Sequence, residues 1–468
     1  MTSALHDELR ALLGAEAVLT RPEEIEPFEI DHRKLYRGRA LAVLLPRDVE
    51  QVAAITRWCN ERRIGLVPQG GNTGYCGAAT PDESGRQLVL SLRRLNRIRE
   101  LDAANYSMTV EAGCVLAQIQ QAADAAERFF PLSLGSEGSC QIGGNLATNA
   151  GGLNVVRYGM ARDLVLGIEA VLADGTVLPG LKSLRKDNTG YDLKSLLVGS
   201  EGTLAVITAA TLKLWPKMRH SATALLGLDT PADALALLGL LRSAAGEFLS
   251  SFELMPRIAI ELAVRYVEGV RDPFERPYPW YILCELTSGG AEGLDALLQE
   301  TLSAAMERSL LLDAVLANSE RVRAGFWHLR EHVPEAQRRA GPSLKHDISV
   351  PVASLPDFIS EASLWVQERV PEGILVCYGH AGDGNLHFNV NQIGTASSEA
   401  FLAHEPVIRR AIHDLVARYH GSISAEHGIG RLKREELQRY AAPAALATMR
   451  AIKHALDPNE IMNPGKLL

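Results

Sequence analysis

The sequence predicts an α+β protein of at least two domains, and three observations carry that expectation. The chain has 468 residues, more than one hydrophobic core usually serves. Strand-like and helix-like segments alternate through its first half, the pattern of an α/β or α+β domain. After Pro216-Lys217 the pattern changes to strand, long Ala/Leu-rich helix, strand and helix, as in an antiparallel sheet with helices on one face.

The elements follow in order. Leu41–Leu45 is a short apolar run closed by Pro46, and Asp48 is an N-cap for a helix with Val49, Val52, Ala53 and Thr56 at helical spacing. Ile64–Pro68 is strand-like and delivers the chain into a glycine-rich loop. Leu88–Leu92, Met108–Glu111, Leu164–Leu172 and Leu204–Trp215 are further strands. In the second region Ala222–Leu228 and Trp280–Leu286 read as strands, Ala232–Ala245 and Gly293–Met306 as helices. Residues 456–468 contain Asp-Pro, Asn-Pro and Gly, so they form turns, and such a tail is expected to return to the first domain. The expected division is 1–217 (core about 37–216), 218–455 and the tail 456–468.

Composition narrows the function. Apolar residues are 47% and charged residues 22%, the range of an ordinary globular protein. The net charge of -8 argues against a general nucleic-acid binder, which needs cations for phosphate. Six cysteines without a C-x-x-C pair exclude zinc-ribbon and iron–sulfur spacing, and fit a reducing compartment. His6, Asp7, Glu8 and Arg10 interrupt the first thirteen residues, which therefore lack the apolar region of a signal peptide. The longest apolar run, Ala232 to Leu241, is too short to span a bilayer. A cytoplasmic location is expected.

Two segments concentrate glycine. Pro68 to Gly77 holds four, and GSEGSCQIGGNLATNAGGLNVVRYG (135–159) holds seven. Glycine lets backbone N–H groups approach an anion closely. One such loop is most simply a set of surface turns, but two in one domain point to a diphosphate cofactor, because a long loop without structure is uncommon unless functional. Neither G-x-x-x-x-G-K-[ST] nor a strand-borne G-x-G-x-x-G is present, so the P-loop and Rossmann solutions are excluded.

A second concentration of chemistry is GHAGDGNLHFN (379–389). Ile374–Tyr378 and Leu386–Val390 read as strands joined by turn residues, a hairpin that brings His380 and His387 together. Two imidazoles so placed suit a zinc-type or manganese-type cation. Glu426, expected at a strand end in SAEHGIG (424–430), is a third candidate ligand. The plainer alternative is a pair of core or capping histidines.

PQGGNTGYCG, GSEGSCQIGGNLATNAGG with Arg157-Tyr158-Gly159, and KDNTGYDLKSLLVGSEGTLAVIT (186–208) resemble the flavin-binding (PCMH-type) domain of the vanillyl-alcohol-oxidase superfamily. The likeness is to its FAD-linked D-2-hydroxyacid dehydrogenases: D-2-hydroxyglutarate dehydrogenase, D-lactate dehydrogenase and the flavin subunit of glycolate oxidase. It runs from about residue 40 to the end of the chain, and GHAGDGNLH and AEHGIG occur together in that branch. The resemblance implies a two-subdomain FAD-binding domain and an α+β substrate or cap domain with an antiparallel sheet. FAD would be held by Pro68, Gly70, Gly71, Asn72, Thr73, Gly74, Gly135, Gly138, Ser139, Ile142, Gly143, Gly144, Asn145, Thr148, Asn149, Gly151 and Gly152, with Gly202, Val206 and Ile207 along the adenine or the ring system. Covalent members carry a histidine in these loops; here none lies between His32 and His220, so dissociable FAD is expected.

The resemblance further implies His380, His387 and Glu426 as ligands of a divalent metal, zinc above all, and His427 as the base. Arg330 and Lys345 would take the substrate carboxylate, with Asn389 beside the substrate. A cation acidifies a bound oxygen by several pKa units, and an imidazole of pKa about 6.5 can then accept the proton. The implied reaction is oxidation of a D-2-hydroxy acid to the 2-oxo acid with hydride passing to the flavin. Pro334 departs from the pattern, in which D-2-hydroxyglutarate dehydrogenases carry a hydroxyl residue, so D-2-hydroxyglutarate and D-lactate both stand. Electrons would leave to an external acceptor, an electron-transfer flavoprotein or a quinone, and there is room for a homodimer. The alternatives are a glycolate oxidase flavin subunit and, from another class, a hydrolase using the same cation; a hydrolase would not need two cofactor loops.

Overall fold

A computed structural model describes residues 2–392 and 397–468, and the chain divides into two compact units. The first comprises residues 1–152, 159–217 and 426–468; the second comprises 153–158 and 218–425. The chain passes to the second unit after Lys217 and rejoins the first at Glu426, thirty residues before residue 456, where hydrogen bonds to Glu201 and Cys76 fasten residues 428–432.

The first unit holds two main sheets. One has the order Val18–Leu19, Ala40–Leu44, Gln87–Ser91, Leu66–Gln69, with the last three strands parallel. Helix Val49–Arg62 crosses between two of them, capped by Asp48, whose side chain accepts from the Gln51 N–H. The other is a five-stranded antiparallel sheet: Ile98–Asp102, Ser107–Glu111, Val206–Lys213, Val165–Val171, Val177–Gly180. The run expected as one strand to Trp215 breaks at Leu214, and Trp215–Pro216 pairs instead with Arg128–Phe129. Leu44, Ile55, Trp58, Leu66, Leu90 and Val206 share one core with Ile461 and Met462. The turn-rich tail does return here: Leu66 bridges to Met462.

In the second unit an antiparallel sheet runs Leu249–Pro256, Trp280–Ser288, His220–Leu228, Asp313–Leu316. Helices cover both of its faces, not one, since successive side chains of a strand point to opposite sides. Met255 and Leu225 pack with Ile260 and Phe326, whereas Phe252 and Leu254 line a small cavity with Ala234 and Leu238 of helix Pro231–Ala245. That helix starts with a reciprocal capping box between Thr230 and Asp233. A second sheet is built around strand Asn385–Gln392, which pairs with Gly373–Tyr378, Ser343–Leu344 and Asp347–Ser349. The two sheets are joined by a reciprocal bridge between Leu254 and Gly379. Among the described residues no helix is long and apolar enough to cross a membrane. All six cysteines are buried thiols outside any disulfide.

Candidate active-site residues

The expected hairpin forms in the second unit. Strands Gly373–Tyr378 and Asn385–Gln392 pair with Tyr378 opposite His387, and Asp383 Oδ1 accepts from the Asn385 N–H in the turn. His380 follows Gly379, whose φ of 153° and close approach to the Asn385 carbonyl leave no room for a side chain. The His380 and His387 rings lie 5.5 Å apart between centroids, edge to face.

Each ring has a carboxylate behind it. His380 Nδ1 is 2.7 Å from Oε1 of Glu253, a residue of strand Leu249–Pro256 that is 1% exposed. An Nδ1–H held by a carboxylate leaves the Nε2 lone pair of a neutral ring for a metal. Burial pushes the Glu253 carboxyl up, but with the ring protonated the charges of His380 and Arg330 and their hydrogen bonds outweigh it and hold it down at about 2. His387 Nδ1 is 3.8 Å from Asp347 Oδ1, which accepts a 3.0 Å hydrogen bond from Asn385 Nδ2. Glu253 and Asp347 went unnoticed in the sequence; Asp347 stands in the Lys345-His346-Asp347 run and could have been found by asking what backs the histidines.

Arg330 closes helix Glu320–Glu331 and is buried at 4% exposure. Its Nε donates to Glu253 Oε2 at 2.9 Å, its Nη2 lies 2.6 Å from the same oxygen at an angle that makes no hydrogen bond, and its guanidinium carbon sits 4.9 Å over the Tyr378 ring. The Nε edge is thus committed to Glu253, and a substrate carboxylate would meet the remaining donors. Lys345 is exposed between two short strands. Asn389 is buried, with Oδ1 accepting from the His346 N–H and Nδ2 donating to Gln337 Oε1, so its amide is used within the fold. Pro334 is exposed in the first turn of helix Val333–Ala340, where its missing N–H costs nothing, and is not on the helix of Arg330.

In the first unit the two glycine segments converge. A Cβ on Gly71 would come within 2.2 Å of the Ser139 carbonyl, and one on Gly70 within 3.5 Å of Gly144. Pro68 ends on strand Leu66–Gln69, and Asn72 turns with φ 53° while its side chain donates to the Ile30 carbonyl. Gly74, Gly135 and Gly138 face open space. The second segment is not the long unstructured loop expected: Ile142–Ala147 is a short helix, as is Val155–Tyr158, which counts with the second unit, and Thr148 Oγ1 bonds back to the Gly144 carbonyl. Gln141 Oε1 and Asn145 Oδ1 are buried there without a hydrogen-bond partner, acceptors that fit a polar cofactor. Asn149, also at positive φ, binds the Arg162 N–H. Gly202 turns at φ 71° against Pro68, and Val206 and Ile207 are buried at the start of strand Val206–Lys213. Together these features fit FAD.

Glu426 and His427 also belong to this first unit, and not to the unit of His380 and His387, as a cap domain carrying all of them would have required. Glu426 stands in an irregular segment, not at a strand end. Its Oε1 accepts from the Gly152 N–H at 2.7 Å, and a side chain on Gly151 would strike it. The His427 ring meets Tyr75 edge-on at 4.6 Å, and Tyr75 lies 5.5 Å from His32. Downstream, the buried Glu201 carboxylate accepts from the N–H groups of Ile429 and Gly430, both at 2.7 Å, and Cys76 Sγ donates to the Gly428 carbonyl. Burial pushes the Glu201 carboxyl up against those two N–H groups, which pull it down.

A family model for the FAD binding domain matches residues 40–179, and one for the C-terminal domain of FAD linked oxidases matches 217–467. The chain belongs to the FAD-linked oxidases. Within them it falls with the hydroxyacid oxidoreductases. The mitochondrial D-2-hydroxyglutarate dehydrogenase of Bos taurus is 42% identical over 99% of this chain and 83% of its own. The D-2-hydroxyglutarate dehydrogenase of Xanthomonas citri pv. viticola is 36% identical over 98% and 96%. In fold, this FAD-linked oxidase is similar to p-cresol methylhydroxylase (TM-score 0.79, 16% identity, 99% of this chain and 96% of that one). It is also similar to 4-ethylphenol oxidase from Gulosibacter chungangensis (TM-score 0.75, 17% identity, 99% and 96%). The PCMH-type FAD-binding domain and α+β second domain expected from the sequence are therefore the architecture of this chain.

Proposed function

We propose that this FAD-linked oxidase oxidises D-2-hydroxyglutarate to the 2-oxo acid, with a divalent cation, zinc first, as an aid and with non-covalent FAD. The observation that carries the reading is the pairing of His380 and His387 at 5.5 Å, with His380 fixed through Nδ1 and a buried arginine on the same carboxylate. The identity to D-2-hydroxyglutarate dehydrogenases supports that acid over D-lactate. When bound, FAD supplies a hydride acceptor and the cation supplies acidity at the substrate hydroxyl. His380 and His387 would offer ring nitrogens to the cation, with Glu426 as the third ligand. Arg330 and Lys345 would hold carboxylate, the first through its planar fork and the second as a point charge. His427 would take the hydroxyl proton, a role suited to an imidazole near neutral pH. Electrons would then pass to a soluble or quinone-type acceptor, and the cytoplasm is the proposed location.

The test is turnover of D-2-hydroxyglutarate and D-lactate with an artificial acceptor, alongside metal and flavin analysis of His387→Ala. The expected result is higher kcat/KM on D-2-hydroxyglutarate, with His387→Ala losing metal and orders of magnitude of activity but keeping FAD. Acid precipitation should release that FAD into the supernatant. A preference for D-lactate overturns the substrate, normal metal and turnover in His387→Ala overturn the cation site, and yellow colour left in the pellet overturns dissociable FAD.

A further inference from the structure

Glu253 lies on no motif, and it is among the most enclosed carboxylates in the second unit. Its two oxygens do different work. Oε1 takes the Nδ1–H of His380 at 2.7 Å, and Oε2 takes the Nε–H of Arg330 at 2.9 Å. The backbone fixes this arrangement. Leu254 N donates to the Gly379 carbonyl at 2.8 Å and Gly379 N returns a bond to the Leu254 carbonyl at 2.9 Å. The neighbours of that bridge in sequence are Glu253 and His380. Tyr378, on the other side of Gly379, supplies the ring under the Arg330 guanidinium.

We infer that Glu253 is a positioning residue that sets the metal-binding imidazole and the carboxylate-binding guanidinium with a single side chain. The inference rests on the proposed roles of His380 and Arg330. One oxygen fixes the His380 tautomer, so that Nε2 is the ring atom presented to a cation. The other anchors the guanidinium along its Nε/Nη2 edge and so fixes the plane of the fork. A neutral amide cannot replace it: Gln has one acceptor oxygen, and its amide nitrogen would face a second donor.

The experiment is Glu253→Gln in the full-length flavoprotein, with flavin content as the check on folding. Zn2+ affinity of the metal-stripped protein is measured by chelator competition, and KM and kcat for D-2-hydroxyglutarate by acceptor reduction. The expected result is retained flavin, Zn2+ affinity weaker by about 10- to 100-fold, and a KM raised at saturating Zn2+. That second change reads the Arg330 arm separately from the metal. If Glu253→Gln loses its flavin, Glu253→Asp is read instead. It keeps the charge but is one methylene too short to reach both partners, so the same two changes are expected at smaller size. Zn2+ affinity and KM both within two-fold of wild type, in the variant that keeps its flavin, overturn the inference. His380→Ala and Arg330→Met are run beside it. If His380→Ala binds Zn2+ like wild type and Arg330→Met keeps the wild-type KM, the underlying site assignment has failed. If those two behave as expected and Glu253→Gln is silent, the positioning role alone has failed.

Discussion

Replacing Glu201 by Gln isolates the clamp on the segment that follows His427. The carboxylate is 5% exposed and accepts two backbone N–H groups, from Ile429 and Gly430, one on each oxygen at 2.7 Å. A hydrogen bond to a charged acceptor contributes about 1.5–3 kcal/mol, and a buried donor left facing another donor loses it in full. Gln keeps one acceptor oxygen, so Glu201→Gln should cost about 1.5–3 kcal/mol, and Glu201→Ala, which keeps neither, about twice that. For a unit of this size one kcal/mol moves Tm by about 2–4 °C, which puts the Gln variant roughly 3–12 °C below wild type. The assay is thermal unfolding of the flavoprotein followed by near-ultraviolet dichroism and flavin fluorescence, with kcat measured well below the transition. Turnover should fall too, because Gly428–Gly430 carries the backbone onward from His427. A Gln variant within 1 °C of wild type, or an Ala variant no worse than Gln, would refute the clamp.

Three further outcomes are expected. Lys466 is buried beside Arg431 and Arg434, and burial first, then those like charges, pull its amine down to about 8. Between that value and the ordinary 10.5 the unfolded chain holds a proton that the folded chain has released, so stability should rise with pH across this window, by about 3 kcal/mol in all. Lys466→Met should be more stable than wild type at pH 7 and lose that rise, as read by urea unfolding at pH 7, 8.5 and 10; parallel curves for the two proteins would contradict it. Arg330→Lys should lower kcat/KM on D-2-hydroxyglutarate by roughly ten- to a hundred-fold, since one ammonium cannot both satisfy Glu253 and present a fork; an unchanged value would place carboxylate binding elsewhere. Gly71→Ala should purify with little flavin, because its Cβ would sit 2.2 Å from the Ser139 carbonyl; wild-type visible absorbance per protein would show that the loops yield at that point.

Local patterns in the sequence transferred well to the structure. Asp48 caps its helix and the hairpin pairs Tyr378 with His387, since each rests on neighbouring residues or on strong turn chemistry. Long-range relations were harder to read. The segment of Glu426 is fastened by Glu201, more than two hundred residues earlier, and so counts with the first unit. Helices on both faces of the Leu249–Pro256 sheet were missed because that strand is buried on both sides and shows no polar alternation. Glu253 was invisible for a similar reason: a single acid in an apolar strand looks like noise until its two partners, 77 and 127 residues away, are seen beside it.

The six buried thiols make the chain its own reporter of partial opening. Cys59, Cys76, Cys114 and Cys140 lie in the first unit, and Cys284 and Cys377 in the second. Burial pushes Cys284 up to about 12 and Cys114 up to about 11, and raises Cys59 and Cys377 further, so at neutral pH these sulfurs hold their protons and react slowly with alkylating agents. A mass-tagging reagent added during a denaturant ramp would therefore count how much of the protein has come apart. A step of four tags marks loosening of the flavin-loop unit and a step of two marks loosening of the histidine-hairpin unit, with no engineered label.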